Sequence, residues 1–205
     1  MKPISFALVS VCAFAIGLGG HYVWRQYSKP PLQLQQATIL ANSGRPMPDF
    51  ELQDYDNGSF TRAQLKDHWT LLFFGYTSCP DVCPLTLAVL KDVYRRLEET
   101  PYAQDTQIVF VSVDPKRDSL STLKRYVQHF HPIFKGVTGS EGQLQKFTKP
   151  LGIFYQYQGE GEDYLVDHSS AMLLIDPAGN LRALFSAPHH ANMLSQNYVA
   201  IRENV

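Results

Sequence analysis

The sequence has no excess of positive charge and no basic stripe. Its 18 lysines and arginines are balanced by 19 aspartates and glutamates, which gives a formal net charge of -1 at pH 7. Proteins that bind the phosphate backbone need clustered basic residues, so nucleic-acid binding is excluded and no such partner is expected. No fixed-period repeat and no low-complexity tract occurs either, which excludes solenoids and disordered arrays.

Cysteine is also scarce, and two of the 3 cysteines lie in one short stretch. Cys79 and Cys83 follow an apolar run that begins at Trp69, which is typical of a strand buried on both faces. Pro84 suits the first turn of a helix, where its missing N–H costs nothing. The pair is therefore predicted to lie where a strand ends and a helix begins, and the helix dipole there favours thiolates. The apolar face of this helix is expected to pack against the core. It consists of Leu85, Val89, Leu90, Val93 and Leu97.

The four-residue spacing of the two cysteines allows two kinds of chemistry. Cβ atoms roughly 5–6 Å apart on one helical face can adjust to form a disulfide, or can hold a soft cation between two thiolates. The structural alternative is a pair of small buried hydrophobic side chains. The flanking Pro80 and Pro84 place the pair at a junction between elements, which favours the reactive interpretation.

An apolar segment without charge runs from Ile4 to Gly20 and is followed by aromatic and basic residues. It predicts an N-terminal transmembrane helix, so residues 1–28 are expected to be a membrane anchor in contact with lipid. A cleaved signal peptide is the alternative, with Ala13-Phe-Ala15 as its processing site. No Arg- and Ser-rich transit peptide precedes the segment, which favours a bacterial inner membrane over a mitochondrion.

The rest of the chain divides into a tether and one domain. Residues 29–45 contain prolines and few large apolar side chains, as a tether does, and residues 46–205 are expected to form the domain. Two doubly buried strands, one before the cysteines and one at residues 107–113, are joined by a helix and predict a parallel βαβ unit. A later strand, with a turn at Pro177-Ala-Gly-Asn180, predicts an antiparallel hairpin.

Together these elements predict an α/β protein with a thioredoxin-like fold, a central mixed sheet flanked by helices. In that fold the loop before the hairpin lies beside the cysteine-bearing helix. Here that loop contains Asp167 and His168, where thioredoxins usually have a proline. We therefore expect His168 to face Cys79 and Cys83. The structural alternative is that His168 serves only as a hydrogen-bonding residue.

Three motifs resemble those of the Sco/SenC family of membrane-anchored copper proteins, which assist cytochrome oxidase assembly. They are Gly75-Tyr-Thr-Ser-Cys79-Pro-Asp-Val-Cys83-Pro, Ser112-Val-Asp114-Pro-Lys-Arg117-Asp118, and Asp167-His168 before its strand. The resemblance covers roughly Pro46 to Val199. The combination of motifs is far more specific than a cysteine pair alone.

The resemblance implies one copper ion bound by Cys79, Cys83 and His168. Two thiolates and an imidazole suit Cu(I) in a three-coordinate site. Zinc is the main competitor, but structural zinc takes four protein ligands, and the remaining cysteine, Cys12, lies in the predicted anchor. A single-pass protein whose domain faces the periplasm is the expected arrangement.

Two functions remain open. A metallochaperone would pass copper from a donor protein to the copper-bearing subunit of a terminal oxidase, and would not be an enzyme. Alternatively, Cys79 and Cys83 form a redox-active dithiol that reduces the cysteines of that subunit or of another exported protein. His168 favours the chaperone, because an oxidoreductase does not require it. A peroxidase or redox signalling protein is a third interpretation that rests on the fold alone.

A thioredoxin-like reductant is an expected partner, because copper binds only the reduced pair and an oxidising compartment drives the cysteines toward the disulfide bond. Asp114, Arg117 and Asp118 are expected to hold their loop together by ion pairing. His189 and His190 are expected at the surface or at a helix start. A second metal site there is disfavoured, because no cysteine or methionine cluster accompanies them.

Overall fold

A computed structural model describes residues 17, 34, 36–40, 44–56, 58–159, 161 and 163–204 of the chain. The segment from Ile4 to Gly20, predicted to span a membrane, lies outside these residues apart from Gly17. Within the described ranges, no helix is long and apolar enough to cross a bilayer. Residues Leu34–Glu203 form one compact unit.

The compact unit contains strands and helices in alternation. Its strands are β1 (Ala37–Ile39), β2 (Arg45–Pro46), β3 (Leu52–Asp54), β4 (Ser59–Phe60), β5 (Trp69–Gly75), β6 (Thr106–Ser112), β7 (Lys135–Thr138), β8 (Tyr155–Gln158), β9 (Leu165–His168), β10 (Met172–Ile175) and β11 (Asn180–Phe185). The α-helices are α1 (Val82–Glu98), α2 (Leu120–Phe130), α3 (Glu141–Leu151) and α4 (Ala191–Asn204). Short 3-10 helices cover Arg62–Leu65 and Pro101–Asp105.

A mixed sheet lies at the centre of the unit. Its strand order is β1-β11-β10-β5-β6-β7-β3-β4, and β2 also pairs with β11. Strands β5, β6 and β7 are parallel, which confirms the predicted βαβ arrangement. Every residue of β5 and β6 is buried, as their unbroken apolar sequences predict. The apolar run therefore fixes the position of Gly75, where β5 ends beside the cysteine segment.

The predicted antiparallel hairpin is confirmed as β10 and β11. The Asp176 carboxylate accepts hydrogen bonds from the backbone N–H groups of Ala178 and Asn180 at 3.0 and 2.8 Å, which closes the turn. Strand β10 also pairs with β5 and places Met172 opposite Phe73. The hairpin therefore fixes the start of β10 beside the end of the cysteine-bearing strand.

Several local features differ from the sequence predictions. Residues 37–39, within the stretch assigned to the tether, form β1 and pair with β11. His168 was expected in a loop, but it is the last residue of β9, which pairs with β8 in a separate ribbon. The alternating Tyr155-Gln-Tyr-Gln158 sequence explains this ribbon, because a period of two suits a half-buried strand.

The buried face of α1 differs from the predicted one only in part, because Leu90, Val93 and Leu97 are buried as predicted and Val89 is half-buried. Leu85 is 62% exposed, although it was expected in the core. The buried stripe instead starts at Cys83 and continues through Leu87 and Leu90, which are one turn apart. The helix is thus rotated so that a cysteine, and not a leucine, occupies the first buried position.

Candidate metal centre

The two cysteines lie at the junction between β5 and α1, as predicted. Cys83 is in the first turn of α1 and is fully buried, whereas Cys79 is half-buried in the preceding loop. The backbone N–H of Cys83 points to Cys79 Sγ at 3.5 Å. This N–H is one of those that the start of a helix leaves without an intrahelical partner, so it can stabilise negative charge on the sulfur.

The two thiols have opposite acidities. A hydrogen bond from the Cys83 thiol lowers the pKa of Cys79 to about 4, and the Cys83 and Asp81 backbone groups act in the same direction. The same hydrogen bond and burial raise the pKa of Cys83. At neutral pH the reduced, metal-free pair therefore consists of a thiolate at Cys79 and a thiol at Cys83.

His168 reaches the cysteines from the end of β9. Its Nε2 atom lies 3.4 Å from Cys83 Sγ, and its Nδ1 atom lies 3.1 Å from the carbonyl oxygen of Ser169. A carbonyl oxygen only accepts hydrogen bonds, so Nδ1 carries the proton and Nε2 presents a lone pair to the sulfurs. The rings of Tyr76 and Phe73 stand edge-on to the imidazole, with centroids 6.0 and 6.1 Å away.

Cys79, Cys83 and His168 form a cluster that can hold a metal ion. One donor atom from each residue lies within 4.8 Å of the other two. Two sulfurs and one imidazole nitrogen are a soft donor set, which suits thiophilic metals rather than hard cations such as Mg²⁺. Among the described residues, this is the one group of three or more such side chains that are close enough to share an ion.

Comparison with known proteins identifies the family. The SCO1/SenC family model matches residues 41–201. The chain belongs to the SCO1/SenC family. It is 36% identical over 187 residues to human "Protein SCO2 homolog, mitochondrial", covering 90% of this chain and 70% of that protein. It is also 36% identical over 183 residues to "SCO2-like protein" of Rickettsia felis, covering 87% of this chain and 88% of that protein.

A solved structure in the same family has the same fold. The crystal structure of Arabidopsis thaliana ScoI with copper bound is 33% identical in sequence, with a TM-score of 0.73. The likeness covers 80% of this chain and 100% of that chain. It confirms the predicted α/β class and thioredoxin-like fold.

Asp118 holds the cysteine segment of this SCO1/SenC chain in place, a role that the sequence did not reveal. Its carboxylate accepts hydrogen bonds from the backbone N–H of Thr77 at 2.9 Å and from the Thr77 hydroxyl at 2.6 Å. The Ser112 hydroxyl also donates to it at 2.6 Å. Asp118 is 1% exposed and lies on the loop after β6. It therefore ties this loop to the cysteine loop two residues before Cys79.

Asp114 and Arg117 of the same motif form the predicted ion pair. Arg117 Nε lies 2.5 Å from Asp114 Oδ2, and the Asp114 side chain is buried. Only Asp118 departs from the predicted pairing, because its partners are hydroxyl and backbone groups.

His189 and His190 lie apart from the cluster of three ligand candidates. His189 Nε2 is 2.8 Å from the carbonyl oxygen of Ser170, and burial lowers the pKa of this histidine. His190 is exposed at the start of α4. A structural role at the helix start, as predicted, accounts for both positions.

Gly75 makes room for the buried sulfur. A Cβ atom at this position would lie 2.5 Å from Cys83 Sγ and 2.8 Å from Phe110 Cε2, closer than such atoms can approach. Any larger residue must therefore displace the sulfur or the ring. The sequence signal was present in the Gly75-Tyr-Thr-Ser-Cys79 motif, but the need for a glycine became visible only once Cys83 was placed against β5.

Proposed function

We propose that this chain binds one copper ion through Cys79 Sγ, Cys83 Sγ and His168 Nε2. The observation that carries the proposal is the convergence of these three atoms within 4.8 Å. Cys79 is already a thiolate in the reduced protein, and copper displaces the proton that Cys83 retains. The copper-bound structure of the Arabidopsis relative supports the choice of metal.

Three donors suit Cu(I) better than zinc. Structural zinc takes four protein ligands, and the described residues offer no fourth cysteine, histidine or carboxylate within the cluster. Cu(I) is stable with two thiolates and one imidazole, and its low coordination number leaves room for an incoming ligand. A partner can approach from the side of Cys79, because this cysteine is only half-buried.

The proposed role is that of a metallochaperone for cytochrome oxidase assembly. A copper donor loads the reduced site, and the chain passes the ion to the copper-bearing subunit of the oxidase by ligand exchange. Cys79 is the ligand expected to exchange first, because it lies in a loop. Cys83 is held in α1 against β5, and His168 is held at the end of β9. A thioredoxin-like reductant keeps the cysteine pair open.

The acidity of Cys79 supports a second function. A thiolate with a pKa of about 4 beside a buried thiol is the arrangement of a pair that carries out thiol–disulfide exchange, in which the more exposed sulfur attacks first. Cys79 would attack a substrate disulfide, and Cys83 would then resolve the mixed disulfide. The two functions use the same sulfurs, but only copper binding uses His168.

Copper stoichiometry tests the proposed site. The reduced chain is expected to bind one Cu(I) ion, and the chain with an oxidised pair is expected to bind none tightly, because a disulfide has no thiolate to offer. Metal analysis after dialysis, with thiol titration of the same sample, measures both quantities. Equal copper retention by the oxidised chain would show that the cysteines are not the ligands.

A glycine substitution tests the packing of the site. Gly75→Ala is expected to weaken copper binding by roughly 10–100-fold, as does the loss of other residues that orient metal ligands. The added Cβ would displace Cys83 Sγ from its place in the cluster. Gly142→Ala is the matched control, because a Cβ there meets nothing within 4 Å. Equal affinities of the two variants in a Cu(I) competition titration would contradict this packing argument.

We also propose that residues 1–28 anchor the protein in a bacterial inner membrane, with the domain in the periplasm. The uncharged segment from Ile4 to Gly20 supports the anchor, and the paired cysteines suit an exported domain that is kept reduced by a partner. Alkaline phosphatase fused after Val205 should be active. An inactive fusion, with an active cytoplasmic reporter at the same position, would reverse this topology.

A further inference from the structure

A row of aromatic rings leads away from the metal centre. It starts at His168, where the Tyr76 ring lies 6.0 Å away between centroids. The guanidinium carbon of Arg117 lies 5.5 Å from the Tyr76 ring and 3.7 Å from the Tyr164 ring. The Tyr157 ring stands edge-on to Tyr164 at 5.5 Å. Each of these distances is short enough for an electron to pass along the row from one aromatic ring to the next.

The tyrosines beyond Arg117 share a second property, because each hydroxyl lies within hydrogen-bond distance of a carboxylate. Tyr164 donates to Asp114 Oδ1 at 2.6 Å. The Tyr157 hydroxyl lies 2.9 Å from both Glu141 Oε2 and the carbonyl oxygen of Val113, and Tyr155 donates to Glu141 Oε1 at 2.8 Å. A phenol that loses an electron becomes a strong acid and must release its proton. A carboxylate already in hydrogen-bond contact is the group that can accept it.

Tyr126 provides a contrast within the same molecule. Burial raises its pKa, and negative charge on the nearby cysteine sulfurs adds to this shift, so Tyr126 also lies near the metal centre. Its hydroxyl is buried without a hydrogen-bond partner among the described residues. Proximity to the cysteines alone therefore does not give a tyrosine a proton acceptor, whereas Tyr164 and Tyr157 both have one.

The far end of the row opens to solvent. Tyr155 and Tyr157 line a cleft of about 420 Å³ together with Glu141 and Lys149. Neither tyrosine is fully buried. The cleft is large enough to admit a small reductant such as a low-molecular-weight thiol, whereas the Tyr76 ring at the other end is 2% exposed.

We propose that Tyr164 and Tyr157 carry oxidising equivalents from the metal centre to this cleft and so protect the cysteine and histidine side chains. This role rests on the proposed copper site. When copper is bound, Cu(I) would supply one electron to hydrogen peroxide, whose O–O bond would break to give hydroxide and a hydroxyl radical, with Cu(II) left at the site. That radical takes an electron from Tyr164, through the Tyr76 ring, and a proton from solvent, and becomes water.

The remaining steps return the protons of both tyrosines, and a second thiolate of the same low-molecular-weight thiol would return the bound copper from Cu(II) to Cu(I). Tyr164 passes its proton to Asp114 when it is oxidised. The Tyr164 radical then takes an electron from Tyr157 and recovers its proton from Asp114, while the Tyr157 proton moves to Glu141. A thiolate in the cleft gives an electron to the Tyr157 radical, which recovers its proton from Glu141. The resulting thiyl radicals couple in pairs to a disulfide.

A photochemical experiment tests the row without copper, so its failure is distinct from failure of the copper site. The full chain carrying Cys12→Ser and Cys83→Ser is labelled at Cys79 with a ruthenium polypyridyl photosensitiser. After flash excitation, ruthenium(III) hexaammine removes an electron from the excited label. The oxidised label is then a one-electron oxidant at Cys79. Transient absorption detects tyrosyl radicals, and a radical trap with peptide mass spectrometry locates them.

We expect trapped radical at Tyr157, and loss of that signal in Tyr164→Phe, which keeps the ring but has no phenolic proton to give. In Glu141→Gln the radical should remain at Tyr164, because Tyr157 has lost its proton acceptor. Tyr126→Phe is the matched control and should leave the Tyr157 signal unchanged. The proposal is overturned if no radical is trapped at Tyr157 in the parent chain. It is also overturned if the amount of radical trapped at Tyr157 is the same in the Tyr164→Phe variant as in the Tyr126→Phe variant.

Discussion

Replacing His168 with alanine is expected to lower the Cu(I) affinity of the reduced chain by at least about 100-fold, since about 2.8 kcal/mol of lost ligation already has this effect. The variant loses one of three donor atoms, and the described residues offer no other histidine or carboxylate to the cluster. Its fold should survive, because His168 is the last residue of the short ribbon of β8 and β9. A competition titration against a Cu(I) chelator measures the loss, with exposed His190→Ala as the control.

The same substitution separates the two candidate functions. Reduction of a substrate disulfide depends on Cys79, Cys83 and the start of α1, so His168→Ala should retain most thiol–disulfide exchange. In cells at limiting copper, it should fail to assemble active oxidase, as should Cys79→Ser with Cys83→Ser. If the histidine variant supports oxidase activity like the parent while the cysteine variant does not, the reductase function replaces the chaperone function.

The regular part of the fold could be predicted because each signal was local. The apolar runs at Trp69 and residues 107–113 are long enough to be buried on both faces, and the confirmed strands β5 and β6 follow them closely. The first turn of α1, which contains Pro84, and the turn before Asn180 depend on backbone chemistry within a few residues. These signals also predicted the position of the cysteines at the junction between β5 and α1, where the structure places them.

The features that the sequence did not predict depend on contacts between distant segments. Strand β7 has only four residues, and it is defined by pairing with β6 and β3. Leu85 is exposed because Cys83 packs against Gly75 and sets the rotation of α1. No pattern within either segment encodes that contact. The three hydrogen bonds of Asp118 likewise join residues up to 41 positions apart.

Replacing Asp118 with alanine is expected to lower the free energy of unfolding by about 3–5 kcal/mol, because hydrogen bonds to a charged or buried acceptor each contribute about 1.5–3 kcal/mol and the loss is not additive. The Thr77 N–H and the Ser112 hydroxyl would lose their acceptor. The segment that carries Cys79 would then be free to move, so copper affinity should also fall by roughly 10–100-fold. Urea unfolding and Cu(I) competition measure the two losses on the same preparation.

Asp118→Asn is the matched variant, because the amide keeps the shape and one acceptor oxygen while its N–H₂ group can donate to the Thr77 hydroxyl.

The stability difference between the parent and Asp118→Asn should depend on pH. Burial raises the pKa of Asp118, so the folded protein keeps the proton of this carboxyl group at pH values where the unfolded chain has lost it. The contribution of the carboxyl to stability is therefore full below its unfolded pKa, about 3.9, and declines as the pH rises through the folded pKa. Asparagine does not titrate, so the stability advantage of the parent over Asp118→Asn should narrow as the pH rises through this window. An alanine variant as stable as the asparagine variant, with unchanged copper affinity, would show that Asp118 does not hold the cysteine segment.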